Sequence, residues 1–396
     1  MELNTAISGL ADAEAAATRV TRSGLVSATL VALIGAVVIF ITPGFLALIA
    51  QQTGFDNDRL GYLVAWDINA MGVTIGLSTF ALARVPWRPA VALGLALIAA
   101  GNLLTASVTS FAPMVAARVV AGAGEGIAVG FAFAALGRAT NPDRVFSIYL
   151  VIGALLSSAF LYALPGIQTA VRPGLVFTLI GALAALIILS LRAFPDGSRD
   201  EPDLFAGGGK LDLRLAGGSL LGVFMLFFAM GAVWSYSERI GLDSKLPPGV
   251  IAQGLSIGTL AGVVGAGVAG FLPRRWGRSL PLIVSGAAGV VSFLMYDGQV
   301  APRAFVIATV LMMFSWNFAQ PLLSGICSEA CHRGRVVCAM GSIQTFGTGL
   351  GPAAAAATLA TGSFRVMLYA ACAVLALSVA VTVATIAGEG RRAETV

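Results

Sequence analysis

The sequence predicts an all-α membrane protein of twelve transmembrane helices in two pseudo-symmetric six-helix bundles. Three observations carry that expectation. The 396 residues are 58% hydrophobic and 11% charged, with a mean hydropathy of +0.90, whereas soluble domains carry about a quarter charged residues. Apolar runs long enough to cross about 30 Å of hydrocarbon recur along the whole chain. The longest polar interruption falls near the midpoint, at residues 194–213.

A window of about 19 residues separates twelve runs. The first six are Leu25 to Ala50, Leu60 to Ala83, Pro89 to Val108, Phe111 to Gly137, Val145 to Ile167 and Gly174 to Ala193. The second six are Leu215 to Arg239, Val250 to Leu272, Leu280 to Met295, Ala304 to Ser328, Val336 to Ala360 and Phe364 to Ala387. The chain thus divides into a leader (1–24), a six-helix bundle (25–193), a linker (194–213), a second bundle (214–388) and a tail (389–396). The first run lacks a small-residue cleavage site and reads as a retained helix, not a signal peptide.

Charge placement tests this division independently. Seventeen Lys and Arg residues fall on the side shared by both termini, six fall on the other, and Arg118 is left in the membrane. That bias places both termini and the linker in the cytoplasm; a monomer in the inner (plasma) membrane is expected. The net charge of +5 is therefore a matter of orientation and does not point to nucleic acid.

Other function classes are disfavoured by what the residues lack. No Gly-x-x-x-x-Gly-Lys-Ser/Thr string is present, which argues against an ATP-driven pump. An embedded enzyme should carry a nucleophile with histidine, or paired metal ligands, at depth. The chain has one histidine, His332, in a predicted turn. Cys327, Cys331, His332 and Cys338 match no common zinc spacing, so neither a metal nor another cofactor is expected. The four cysteines avoid the predicted external loops and read as reduced thiols. A sensor would be expected to carry an appended signalling domain, and the linker and tails are short.

Charges inside hydrocarbon are costly and usually functional. In the fourth helix, Arg118 and Glu125 are seven residues apart, close to two helical turns, and share a face about 10 Å apart along the axis. They either serve function together or form a buried ion pair that fixes packing. Asp67, in Trp66-Asp67-Ile68-Asn69 of the second helix, is a further carboxylate at depth, free to act or to hold helices together through Asn69, Asn102 or Arg118. Carboxylates removed from water become easier to protonate. With no buried histidine, any proton exchange at depth would use Glu125 first, then Asp67, with Arg118 beside them.

The two halves repeat weakly. Gly76 to Arg88 follows the second helix and Gly270 to Arg278 follows the eighth, both as basic turns. With these turns, the chain resembles the major facilitator superfamily over about Leu25 to Ala387. The family's loop signature, Gly followed by Asp-Arg-x-Gly-Arg, is seen as Gly270 with Arg275-Trp276-Gly277-Arg278 and is reduced to Arg84 and Arg88 in the first half. Its acid is missing, with Ala83 and Arg274 in its place, so a latch using that carboxylate must be weakened or replaced. The family's Arg-x-x-x-Gly-x-Gly reads Arg118-Val-Val-Ala-Gly122-Ala-Gly124, followed by Glu125. The Gly-Pro element that marks antiporters in the fifth helix is found instead in the eleventh, at Gly351-Pro352.

The resemblance implies the major facilitator fold and a secondary transporter working by alternating access, with helices 1, 4, 7 and 10 lining a central cavity. It gives Arg118 a role in proton transfer and places Glu125 facing that cavity. The expected solute is a small organic molecule, and Arg118 favours a carboxylate. The alternative is a drug/proton antiporter exporting lipophilic cations. Substrate contacts are expected from Arg118, Trp234, Tyr236, Gln253, Trp316, Asn317, Gln320 and Gln344. For Asn317 and Gln320 the competing role is interhelical hydrogen bonding, and for Trp234 a place in the interfacial aromatic belt. Glu238 and Arg239 form either an outer gate or a solvated interfacial pair. Thr42-Pro43-Gly44 is the expected bend of the first helix. Two glycine groups, Gly122, Gly124 and Gly126 and then Gly262, Gly265 and Gly267, are expected to permit close helix contact.

Overall fold

The computed structural model describes residues 20–197, 212–272, 277–330, 335–359 and 363–393. Twelve helices follow one another, with no strand among the described residues. In the first half these are α1 Arg22–Thr53, α2 Asn57–Ala81, α3 Trp87–Ser107, α4 Phe111–Gly137, α5 Pro142–Ala170 and α6 Pro173–Ile187. The second half holds α7 Leu213–Asp243, α8 Pro248–Gly270, α9 Ser279–Leu294, α10 Pro302–Glu329, α11 Arg335–Leu359 and α12 Arg365–Ala393. Ten are long and apolar enough to cross a membrane, α6 together with the 3-10 turn that carries it to Arg192; α9 is shorter, at 16 residues, and α11 is not among the ten. The chain is thus a multi-pass membrane protein of two six-helix bundles.

Local chemistry sets where helices begin. The Thr21 hydroxyl accepts from the Gly24 amide, and the Asp212 carboxylate accepts from the Arg214 and Leu215 amides, each supplying an acceptor to a first-turn N–H. Proline opens α5, α6, α8 and α10, where its missing N–H has no intrahelical partner to lose.

The bend of α1 lies earlier than expected. Helical geometry is lost at Ala36 (φ −101°, ψ 4°) and again at Ile41 (φ −113°, ψ 18°), while Thr42, Pro43 and Gly44 are inside the following helical segment. The ring of Pro43 obstructs the preceding turn and its nitrogen cannot reach the carbonyl of Ile39, so the disruption falls on the N-terminal side of the proline. The Thr42 hydroxyl donates to the carbonyls of Val38 and Ile39 (2.8 and 3.1 Å), and the Ser157 hydroxyl of α5 donates to that of Phe40 (2.6 Å). Three successive carbonyls at the break therefore have hydroxyl partners, as a backbone away from water requires.

Within the first half, α4 is central and packs on α1, α2, α3 and α5. Gly122 meets the backbone of Asp67 in α2 so closely that any side chain would collide with it, and Gly124 does the same against α3. In α8, Gly262 and Gly265 face Asn317 and Phe314, but Gly267 has no neighbour, a correction to the expected contact. The second half has its own core, with Leu226, Met230, Phe293, Phe305 and Trp316 among its members. The halves meet along α1 with α7, α2 with α11, and α5 with α8.

The turn between α2 and α3 receives a carboxylate from elsewhere in the chain. Asp196, at the start of the linker, accepts from the amide of Trp87 at 3.2 Å. Arg88 donates to the carbonyl of Phe194 (2.7 Å) and Arg138 to that of Gly197 (2.8 Å), while the Arg138 guanidinium lies 4.4 Å over the Trp87 ring. The linker thus brings a carboxylate to this turn, where the sequence has Ala83. In the second half Arg274 and Arg275 lie outside the described residues, and Arg278 pairs with Glu329 at 2.7 Å.

Candidate functional site

The deepest polar feature is a cluster assembled by four helices. Arg118 of α4 donates twice to one oxygen of Asp67 in α2, from Nε at 3.0 Å and Nη2 at 2.7 Å. Its Nη2 also donates to Glu125 at 3.2 Å, and its Nη1 to Asn102 and Thr105 of α3 at 3.2 and 3.5 Å. The guanidinium lies 4.7 Å from the ring centroid of Phe45 in α1. Relative exposures are 0% for Asp67 and Arg118 and 1% for Glu125, so all three charges are withdrawn from solvent.

The local sequence explains the convergence. Residues seven apart on a helix lie on one face, and the long Arg118 side chain spans that interval to Glu125. The absent side chain at Gly122, between them, lets α2 approach until Asp67 reaches the same guanidinium. An arginine has five N–H donors, and these five bonds use all of them. One carboxylate oxygen, Asp67 Oδ1, is buried without a hydrogen-bond partner.

In this conformation Glu125 lies buried inside the first bundle, and the N–H donors of Arg118 are taken up by its own neighbours.

The remaining predicted residues are dispersed. Trp316 packs edge-on against Phe227 at 5.4 Å, and Trp234 lies in the same core. The amide of Asn317 donates to Met313 of its own helix at 2.9 Å, next to Gly262. Gln320 is half-buried and Gln253 is exposed. Gln344 is half-buried, and its side-chain oxygen has no hydrogen-bond partner. Glu238 and Arg239 are ion-paired at 3.0 Å as adjacent residues, with Glu238 buried, so the pair is not a solvated one. Tyr236 crosses between halves, its hydroxyl donating to the carbonyl of Asn57 at 2.8 Å.

Sequence reasoning missed Phe45 and Thr105 as partners of Arg118, and the Ser158 to Ser256 hydrogen bond (2.7 Å) that joins α5 to α8. Nothing in the local pattern marks Phe45, which is one apolar residue among many. Cys331 and His332 lie outside the described residues, while Cys327 and Cys372 are free thiols. Among the described residues no group of three His, Cys, Asp or Glu side chains is placed to hold a metal.

Two six-helix bundles meet along three helix pairs, with a cluster of charged-type side chains buried inside one of them, the architecture of a polytopic membrane protein. The sequence matches the Major Facilitator Superfamily profile over residues 28–352, and the chain belongs to that family. Among solved structures, it is similar to a mutant of the nucleoside transporter NupG (TM-score 0.71, 13% identity). It is also similar to the human organic anion transporter MFSD10 (TETRAN), with TM-score 0.63 and 16% identity. Each alignment covers 91% of this chain and 99% of the other. No curated protein matches the sequence significantly. Family and fold neighbours are transporters of small molecules, not enzymes.

Proposed function

We propose that this chain is a proton-coupled secondary transporter of a small organic solute, with the Asp67, Arg118 and Glu125 cluster as the proton-carrying site. The observation that carries the reading is the charge count of a closed site. One guanidinium faces two carboxylates away from solvent, and a single proton makes the cluster neutral. Uncompensated charge in a low-dielectric interior is expensive, so proton occupancy and conformation are coupled there. Asp67 accepts two hydrogen bonds from Arg118 and Glu125 accepts one, which makes Glu125 the more weakly held carboxylate and the proton carrier.

The bundles at 25–193 and 214–388 are the moving bodies of an alternating-access cycle. The lysine and arginine bias supports an orientation with both termini and the linker in the cytoplasm, and the chain is read as a monomer of the inner membrane. The neighbours named for nucleosides and organic anions share the fold while carrying different solutes, so the solute here is to be found by a thermal-shift screen. A bound ligand raises apparent stability by mass action.

The test is uptake by proteoliposomes under an imposed pH gradient. Wild-type flux should follow the gradient, and Glu125→Gln should bind solute yet ignore the gradient. Equal gradient dependence in both proteins would remove Glu125 from the mechanism.

A further inference from the structure

Phe45 joins the charge cluster to the break in α1. Its ring is fully buried, 4.7 Å from the Arg118 guanidinium on one side and edge-on to Phe177 of α6 at 5.5 Å on another. It stands four residues beyond Ile41, where helical geometry fails, and two beyond Pro43. The preceding segment of α1 is held separately. Ser27 bonds to Ser190 at 2.9 Å, and Gly35 packs against the backbone of Glu125. The following segment rests Gly44 against Phe160 and Leu161 of α5. Phe45 therefore sits beyond the break, on a segment of α1 whose contacts differ from those of the earlier one.

From this geometry we infer that Phe45 is a positioning residue that shields Arg118 and Glu125 from water, and that turning of the α1 segment about Ile41 and Pro43 opens the cluster to proton exchange. The inference rests on the proton-coupling reading. The guanidinium edges are committed to Asp67, Glu125, Asn102 and Thr105, and the aromatic ring covers one of its faces. Few other charges bear on the site. Between residues 23 and 53 of α1, between 89 and 107 of α3, and throughout α6, no side chain is ionisable. From α2 come Asp67, the more exposed Tyr62 and, in its first turn, Asp58 and Arg59; from α4 Arg118 and Glu125; from α5 the buried Tyr149, whose ring meets Phe40, and the exposed Tyr162; and from α7, which packs on α1, Tyr236, Glu238 and Arg239.

The experiment measures proton leak through the full chain in proteoliposomes holding a pH gradient, with valinomycin and potassium discharging the membrane potential and no solute added. Phe45→Leu keeps most of the apolar volume and removes the aromatic face. It should leak about tenfold faster than wild type, the factor that a desolvated cation–π contact supports. Phe45→Trp should stay within about twofold of wild type, because it restores that face. Adding Glu125→Gln to Phe45→Leu should return the leak to the wild-type level. A Phe45→Leu protein that unfolds at the wild-type temperature and leaks no faster than wild type would overturn the inference. So would a leak that survives Glu125→Gln. If Phe45→Leu fails to fold, the same comparison is made with Phe45→Trp and Phe45→Met, and equal leak rates would overturn it. None of these results decides the proton-coupling reading, which stands or falls on gradient-driven uptake by Glu125→Gln.

Discussion

The two bundles solve the problem of burying polar groups in opposite ways. The first gathers Arg118, Asp67 and Glu125 into one enclosed network. Apart from the adjacent pair Glu238 and Arg239, the second relies on neutral pairs: Tyr296 with Thr309 at 2.6 Å, Ser285 with the carbonyl of Ser315 at 2.8 Å, and Ser378 with that of Gly222 at 2.7 Å. Neutral hydroxyl bonds are satisfied whichever way the bundle turns, whereas a cluster of one cation and two carboxylates changes its charge with each proton. On the proposed reading, charge movement belongs to the first half.

The largest expected effect comes from removing the cation. Arg118→Ala leaves two buried carboxylates without their partner and should cost about 3–5 kcal/mol, read as a lowered unfolding temperature in detergent. Neutralising the whole cluster as Arg118→Met, Asp67→Asn and Glu125→Gln should recover most of that stability without restoring gradient-driven uptake. If the triple variant still couples, the assignment of charge to the first half is broken.

Next in size is the second half's aromatic core. Trp316→Ala should cost about 3 kcal/mol through the cavity left beside Phe227, while the pH dependence of transport keeps its wild-type midpoint. A shifted midpoint would show that the halves do not divide the work. Smaller again is Tyr236→Phe, which removes one hydrogen bond between the halves, about 1 kcal/mol. Thiol-labelling rates at cysteines introduced near Asn57 should rise in that variant and stay unchanged near Arg138.

The smallest effect tests a charge outside the membrane spans of the second half. Asp297 accepts from Arg365 at 2.9 Å and from Tyr369 at 3.1 Å. The Arg365 hydrogen bond in particular holds its carboxyl below the usual range. A carboxylate with a depressed folded-state pKa contributes stability that is present above its unfolded value of about 3.9 and lost as pH falls through the folded one. Asp297→Asn should flatten that acid-side loss and leave the pH dependence of transport alone. Because the pair is exposed, the change should be slight.

Helix positions were legible because each span must satisfy its backbone internally and present about twenty apolar residues, so the pattern repeats with little ambiguity. Arg118, Asp67 and Glu125 were legible for the same reason, since charge at depth is conspicuous against Ala, Val and Gly. Their company was not. Asn102 emerged only as one of several partners for Asp67, and Thr105 and Phe45 carry no mark of their role, because a contact between helices depends on rotation and approach that one-dimensional spacing does not contain. The bend of α1 was assigned to the proline itself, yet it falls on the preceding turn, where the carbonyls that proline cannot use must find other donors. The uptake of Asp196 by the Trp87 amide was likewise invisible, since 109 residues separate the two.

Both ends of the linker are anchored, and each is anchored to its own half. At one end Arg138 and Arg88 hold Gly197 and Phe194, and at the other the amide of Asp212 donates to the carbonyl of Ala330, 3.2 Å away, as α7 begins. Each bundle therefore holds its own end of the connection, and contact between the halves is made by the helix pairs α1 with α7, α2 with α11 and α5 with α8.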